Sequence, residues 1–221
     1  MGLRGILSKS ELVRNFAFFL KRKRGERKNV IKGNNNKIVN CGRFHKVDKK
    51  IVGNNNFIEI KELSALSNVN IMIKGSNNTI TIGKLTKLTG TLWIEGNNCN
   101  IAIGDNVTVI GASFLVTEDN LSITVGDECL FSYGIEVRTS DSHSIIDLTS
   151  NERINRGKSI KIGNHVWVGV KATVLKGVNI CNDSVIGAGS LVAKDVPPNS
   201  IAAGVPAMVV KSNITWDINQ I

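Results

Sequence analysis

Several residue types are scarce in this chain of 221 residues. Aromatic residues make up only 5%, and the chain has 3 prolines, 4 cysteines and 3 histidines. A core with so few rings, filled mainly by Ile and Val, favours regular β structure with narrow layers over a bundle of long helices. The length and composition suit one globular domain with at most a small appendage.

The cysteines form no recognisable metal or disulfide pattern. They include no CxxC pair, and their spacing matches neither a zinc ribbon nor a dense disulfide framework: Cys41, Cys99, Cys129 and Cys181. We therefore expect reduced cysteines packed in a core, no metal, and a cytoplasmic protein.

Long hydrophobic runs are also missing. No stretch approaches the roughly 20 apolar residues of a membrane span, and Phe16–Leu20 is too short for a signal-peptide core. Apolar residues at three- and four-residue intervals predict a helix over 3–23. The positive charge is concentrated here, since residues 1–50 contain 15 Lys and Arg against 3 Asp and Glu, and the remainder 13 against 15.

Residues 1–29 are thus interpreted as a basic helical segment. It either caps the first coil of the main body or contacts anionic lipid at the inner face of the membrane. A nucleic-acid partner is not expected, because such proteins usually spread their positive charge across a folded face.

Internal repeats predict the fold. An Asn-rich tetrapeptide that starts at Gly33 returns at Gly53, Gly75, Gly96 and, in degenerate form, Glu118, at intervals of 20, 22, 21 and 22 residues. An apolar residue follows each start by five positions: Ile38, Ile58, Ile80, Ile101 and Ile123. Each copy is interpreted as a turn and a strand, and a single strand cannot bury its apolar side alone, so the copies must stack.

The C-terminal third has a shorter period. Aliphatic residues recur at every sixth position without a break: Ile162, Val168, Val174, Ile180, Ile186 and Val192. Gly, Asn and Asp between them tolerate the left-handed backbone values of sharp corners. Three sides of six residues close a triangular coil, and successive coils should stack at about 4.8 Å.

Residues 162–169, 185–190 and 203–207, with Pro197-Pro198-Asn199, resemble the hexapeptide-repeat acyltransferases, which include maltose and galactoside acetyltransferases. The Asn-rich first half, the loop around His143 and the tail with Trp216 resemble most the bacterial capsular polysialic-acid O-acetyltransferases. The resemblance implies an all-β fold, a left-handed parallel β-helix over residues 30–212 with a tail at 213–221. It also implies a homotrimer with active sites between prisms, and acetyl-CoA as the acetyl donor.

A polar segment at about residues 138–158 breaks the period, as functional loops do. It contains His143; acetyl transfer to a hydroxyl needs a base, and histidine suits this role because its ordinary pKa lies near neutrality. The match to the family's loop assigns the catalytic base to His143. Asp141 could orient its ring, although a solvated acid and a backbone carbonyl are open alternatives. His165, at a corner, is expected to be structural, and His45 incidental.

The resemblance also implies the remaining site residues. Trp167 must point outward, because Val166 and Val168 point inward; it either lines the crevice for donor and acceptor or packs in the trimer. Backbone contacts to the donor are implied at four positions: Gly169, Val170, Gly187 and Ala188. Lys194 and Lys211 are either phosphate contacts or solvated surface charges.

The expected activity is O-acetylation of a sugar or cell-surface polysaccharide, such as capsule or O-antigen. Three alternatives stay open: N-acetylation of a nucleotide amino-sugar, a γ-type carbonic anhydrase and a non-catalytic solenoid. The histidine spacing speaks against the second, and the irregular loop against the third. A basic N-terminus favours an anionic acceptor such as sialic-acid capsule.

Overall fold

A computed structural model describes residues 26–220, and all helical or extended elements in this range are β-strands, with no helix among them. Strands β1 to β11 are Glu26–Lys32, Lys37–Asn40, Arg43–Val52, Phe57–Ile60, Ala65–Lys74, Thr79–Ile82, Lys87–Glu95, Asn100–Ile103, Thr108–Thr117, Ser122–Val125 and Leu130–Arg138. Strands β12 to β19 are Ile160–Ile162, Trp167–Val168, Thr173–Val174, Asn179–Ile180, Val185–Ile186, Leu191–Val192, Ser200–Gly204 and Ala207–Ser212. The helix predicted over 3–23 lies outside the described residues, and β1 begins ahead of the expected start at residue 30.

The strands form a solenoid with three faces, as the two periods predict. Face 1 is a seven-stranded parallel sheet of β2, β4, β6, β8, β10, β12 and β15. Each long strand from β3 to β11 bends at its middle, so that its first part lies on face 2 and its second part on face 3. The bend is evident at β11, because Leu130 and Phe131 pair with β13 whereas Glu136 and Val137 pair with β14.

The predicted inward positions form the core. All six aliphatic residues of the six-residue period are at most 1% exposed, and the residues two positions before them are at most 2% exposed. The only ring-on-ring contact inside the described core joins Phe114 and Phe131 on neighbouring coils, with centroids 5.6 Å apart. One inward position is charged: Lys49 is 3% exposed, and its ammonium lies 4.7 Å from the centroid of Phe44.

The repeated tetrapeptides form the corner between faces 3 and 1. Their third residues have left-handed backbones and link side chain to side chain along the stack, at 3.1–3.3 Å: Asn35, Asn55, Asn77, Asn98 and Asn120. The fourth residues point inward, and the Asn56 amide bonds both to the coil before it and to the coil after it. A side chain at Gly53 would place its Cβ 1.9 Å from the Gly75 carbonyl oxygen, so this corner requires glycine.

The C-terminal end of the solenoid departs from the parallel stacking of the coils. Strand β19 pairs antiparallel with β18, and residues beyond Ser212 pass back along the last coils. Within residues 26–220 no helix is long and apolar enough to cross a membrane. The same residues contain no group of three or more His, Cys, Asp or Glu that could hold a metal ion.

Candidate active site

The polar loop joins β11 to β12 and is fixed at its base by one carboxylate. Glu118, from the corner of the preceding coil, accepts hydrogen bonds from Arg153 at 2.5 Å, from the Gly157 amide at 3.1 Å and from the Ser140 hydroxyl. Partial burial raises the pKa of Glu118, but the donors Arg153, Ser140 and Gly157 outweigh it and lower the pKa overall. The loop is therefore anchored by an ionised group.

Asn155 organises the part of the loop that carries His143. Its side chain is buried, and its amide nitrogen donates to the backbone oxygen of His143 at 2.8 Å and to the carboxylate of Asp141 at 2.8 Å. Its amide oxygen accepts from the backbone nitrogen of Ile145 at 2.7 Å. One buried amide thus holds the backbone at His143 and Ile145 and the side chain of Asp141, while the imidazole itself is exposed.

The carboxylate of Asp141 binds Asn155 and the ammonium of Lys176, which comes from the next coil. Lys176 also donates to the backbone oxygen of Asn155 at 3.0 Å. The hydrogen bonds from Lys176 and then Asn155 hold the pKa of Asp141 below its ordinary value. Among the described residues, no hydrogen bond joins this carboxylate to the His143 ring, so any orienting effect passes through Asn155.

Trp167 lies on face 2 and points outward with 40% of its surface exposed, as the period predicts. The tail brings Trp216 against it at a ring-centroid distance of 6.0 Å. Trp216 also stacks on His165, whose Nδ1 lies 2.9 Å from the Asp183 carboxylate. His165 therefore has a structural position. Within this single chain, no hydrogen bond or ring contact connects Trp167 with His143 in the part that the structure describes.

The four positions expected to contact the donor lie at the corner that follows Trp167. Gly169 and Gly187 use their amides within the stack, donating to Ile186 at 2.8 Å and Ala202 at 2.9 Å. The amides of Val170 and Ala188, in contrast, donate to no protein group among residues 26–220. These two N–H groups sit on successive coils, where a thin ligand with amide oxygens could accept hydrogen bonds from both.

The two lysines expected at the phosphates lie on different parts of the prism. Lys194 follows β17 on face 3, and Lys211 lies on β19, which extends face 2. Both are exposed, and neither forms an ion pair with any residue that the structure describes. They are cationic points available to a ligand, and the single chain does not bring them together.

Sequence reasoning assigned no role in the site to four of these residues: Asn155, Lys176, Glu118 and Trp216. Asn155 is one of many asparagines, and the partners of the network are separated by 10 to 39 residues. A buried asparagine inside a polar loop leaves no periodic pattern that could reveal it. The sequence places Trp216 in the C-terminal tail but does not predict which residues it contacts.

Comparison with known proteins extends the likeness over nearly the whole chain. The polySia-specific acetyltransferase NeuO has a solved structure with 34% identity and a TM-score of 0.78, covering 88% of this chain and 90% of that one. The polysialic acid O-acetyltransferase OatWY shares 33% identity with a TM-score of 0.62, over 80% of this chain and 93% of that one.

Sequence comparison alone finds a shorter match. A polysialic acid O-acetyltransferase of Escherichia coli O1:K1 is 39% identical over 89 residues, which are 40% of this chain and 29% of that protein. The chain thus aligns with less than a third of the length of this curated relative. No protein-family profile matches the chain. Because the two solved structures are aligned over most of both chains at more than 30% identity, this chain belongs to the hexapeptide-repeat acetyltransferases.

Proposed function

We propose that this chain is an acetyl-CoA-dependent O-acetyltransferase that acts on a hydroxyl of a polysaccharide, with polysialic acid as the first acceptor to test. The observation that carries the proposal is the likeness to two polysialic acid acetyltransferases over at least 80% of the chain. The loop that presents an exposed imidazole on a rigid anchor supports it independently.

The proposed reaction needs one base. A sugar hydroxyl barely ionises at neutral pH, so His143 takes its proton as the oxygen attacks the thioester carbonyl. The tetrahedral oxyanion then collapses to the ester, and the departing thiolate of coenzyme A receives the proton back from the imidazolium. The balance is one acetyl group transferred, one O–H bond broken and one S–H bond formed, with no covalent enzyme intermediate.

Other residues have supporting roles in the proposal. Asn155, together with Asp141 and Lys176, holds the backbone of His143 while the ring stays exposed. The free amides of Val170 and Ala188 receive the pantetheine arm, while Gly169 and Gly187 beside them allow the coils to stack closely, since a Cβ at either would meet the next coil at 2.7–2.8 Å. Trp167 lines the crevice, while Lys194 and Lys211 meet the phosphates.

These groups lie on different faces of one prism, so the proposal includes a homotrimer. The loop of one copy would face the Trp167 side of the next, completing a site that a single chain leaves divided. Burial of the 40% exposed Trp167 in such a crevice would also remove an unfavourable apolar surface from water.

The test is a thiol-release assay with purified protein and acetyl-CoA, offered polysialic acid, O-antigen, simple sugars and amino-sugars. His143→Ala should lower kcat by about 10²–10⁴-fold. His45→Ala is the matched control, because His45 is an exposed histidine on β3 in the first coils. Undiminished activity in His143→Ala would remove the base, and faster turnover of an amine acceptor would replace O-acetylation with N-acetylation.

A further inference from the structure

The outer surface of face 3 carries a groove that no proposed catalytic residue occupies. Cross-strand pairing puts one outward residue from each of five successive coils in register: Lys50, Met72, Trp93, Leu115 and Arg138. We call this column, with Glu95 beside it, the face-3 groove. Two depressions of about 480 and 310 Å³ lie along it and share Trp93 and Glu95, so they adjoin at the middle of the column.

The groove leads to the proposed base. The larger depression is lined at its far end by Arg138, Ser140 and Ser142, and the residue that follows Ser142 is His143. Ser140 is itself fixed by Glu118, which anchors the loop. The end of the groove is therefore held in a constant position relative to the loop that presents the imidazole.

The length of the groove suits a polymer. Neighbouring parallel strands lie about 4.8 Å apart, so the four steps from Lys50 to Arg138 span about 19 Å. That is several times the width of one sugar ring. A monosaccharide would fill one end, whereas a chain of several linked sugars would fill the whole groove.

The chemistry of the lining suits acidic sugars. Trp93 and its neighbours Met72 and Leu115 offer a half-exposed apolar strip, on which the C–H side of a sugar ring can pack. Lys50 and Arg138 place a cation at each end; Arg138 also pairs with Glu136 at 3.2 Å, whereas Lys50 forms no ion pair among the described residues. Glu118 lines the larger depression as well, but it is paired with Arg153. In the middle, Lys74 pairs with Glu95 at 2.6 Å in an exposed bridge that costs at most about 1 kcal/mol to open.

We propose that the face-3 groove binds the acceptor as an extended acidic polysaccharide, several sugars beyond the hydroxyl that is acetylated. This inference rests on the proposed function for its acetylation step. It adds the face that binds this polymer and the residues that select for its length.

The kinetic test uses sialic acid and its oligomers of graded length as acceptors. For the wild-type protein, KM should fall about tenfold or more between the monomer and chains long enough to reach Lys50. Trp93→Ala should raise KM for long chains by about tenfold, while KM for the monomer and for acetyl-CoA stay unchanged. Phe57→Ala is the matched control, since Phe57 is an outward, half-buried aromatic residue on face 1.

Three results would overturn the proposal. The first is a wild-type KM that does not change with acceptor length, and the second is an equal effect of Trp93→Ala at every length. The third is dissociation of the assembly by Trp93→Ala in light scattering, which would make this face a contact between copies. If Trp93→Ala fails to fold, Lys50→Glu serves instead, because Lys50 is exposed.

A binding arm separates this inference from the proposed function. Titration of polysialic acid into the protein without acetyl-CoA should give a Kd that Trp93→Ala raises about tenfold and that increases with salt. If no acceptor is acetylated but this binding is found, the binding role of the groove is supported and the proposed reaction is contradicted. If acetylation occurs without length-dependent binding, the binding role of the groove is contradicted and the proposed reaction is supported.

Discussion

The indole of Trp216 stacks on the imidazole of His165, with ring centroids 4.4 Å apart and planes 9° from parallel. Its Nε1 donates to the backbone oxygen of the same His165 at 2.8 Å. The C-terminal tail is thus fastened to the corner from which Trp167 projects, 6.0 Å away. A segment remote in sequence thereby covers part of an outward tryptophan that the proposed reaction uses.

Replacing Trp216 by Ala should weaken both the fold and the site. The loss of the ring contacts and of one hydrogen bond should lower the free energy of unfolding by about 1–3 kcal/mol, measured by urea denaturation. KM for acetyl-CoA or the acceptor should rise more than kcat falls, because Trp216 contacts Trp167 and not the proposed base.

Trp216→Phe is the control for this prediction. It keeps a ring to stack on His165 but has no N–H to donate, so its stability should lie between those of the wild-type protein and Trp216→Ala. A Trp216→Ala protein with unchanged stability and unchanged KM would show that the tail does not support the site.

Asn155→Ala should loosen the loop that carries His143 while leaving the solenoid folded. The substitution leaves the backbone nitrogen of Ile145 without its partner, leaves the carboxylate of Asp141 with Lys176 alone, and frees the carbonyl of His143. We expect kcat to fall about 10- to 100-fold, by analogy with the loss of other supporting groups around a functional side chain, with KM for acetyl-CoA little changed.

The same variant should show faster proteolysis within residues 139–159, because a buried amide no longer orders them. Asn151→Gly is the matched control: Asn151 is exposed in the same loop with a left-handed backbone that glycine adopts freely. Equal kcat values for Asn155→Ala and Asn151→Gly would contradict a positioning role for Asn155.

Acid should loosen the loop through Glu118. Partial burial raises its pKa, but Arg153, Ser140 and the Gly157 amide together lower it below its ordinary 4.5. A carboxyl with a lowered pKa stabilises the folded state fully above its unfolded pKa, and this contribution is lost as pH falls through the lower, folded value. Thermal unfolding followed from neutral pH to about pH 3 should therefore show a decline that begins below pH 4.5.

Glu118→Gln should be less stable than the wild-type protein at neutral pH, since the ion pair with Arg153 is lost, and the difference should shrink in acid. Asp141 and Asp147 also have lowered pKa values, from hydrogen bonds of Lys176 and of the Ser150 amide respectively. They remain in both proteins, so the difference between the two curves isolates Glu118. A difference that stays constant down to about pH 3 would exclude this carboxylate as the acid-sensitive anchor.

The solenoid was predictable because its contacts repeat. Each coil meets only its neighbours, so the apolar positions of one period, such as Ile186 and Val192, carry the whole packing pattern, and the structure buries both completely. The left-handed corners were also evident, because Asn and Gly recur at the turns. The burial of Lys49 was not predictable, because an inward lysine breaks the apolar pattern; its ammonium lies over the ring of Phe44.

The site was predictable only in part, for a physical reason. The loop lacks a period, so its position could be seen but its contacts could not; the bond from Arg153 to Glu118 spans 35 residues and that from Trp216 to His165 spans 51. The strand register on face 3 could not be predicted either, because the repeat interval varies between 20 and 22 residues. The column that places Trp93 between Met72 and Leu115 emerges only from the strand pairing.

The inner asparagines of the corner should be more important for stability than the outer ones. Asn56 is 1% exposed; its amide nitrogen donates to the Gly75 oxygen at 3.0 Å, and its oxygen accepts from the Asn78 nitrogen at 3.0 Å. Asn56→Ala leaves these two backbone groups unsatisfied, the Asn78 nitrogen at a buried position and the Gly75 oxygen at a partly buried one, each at a cost of about 1–3 kcal/mol. Asn55→Gly removes an exposed rung and keeps the left-handed backbone, so it should cost less than about 1 kcal/mol. Urea denaturation of both variants measures the difference, and equal losses would mean that the inner ladder contributes no more than the solvent-facing one.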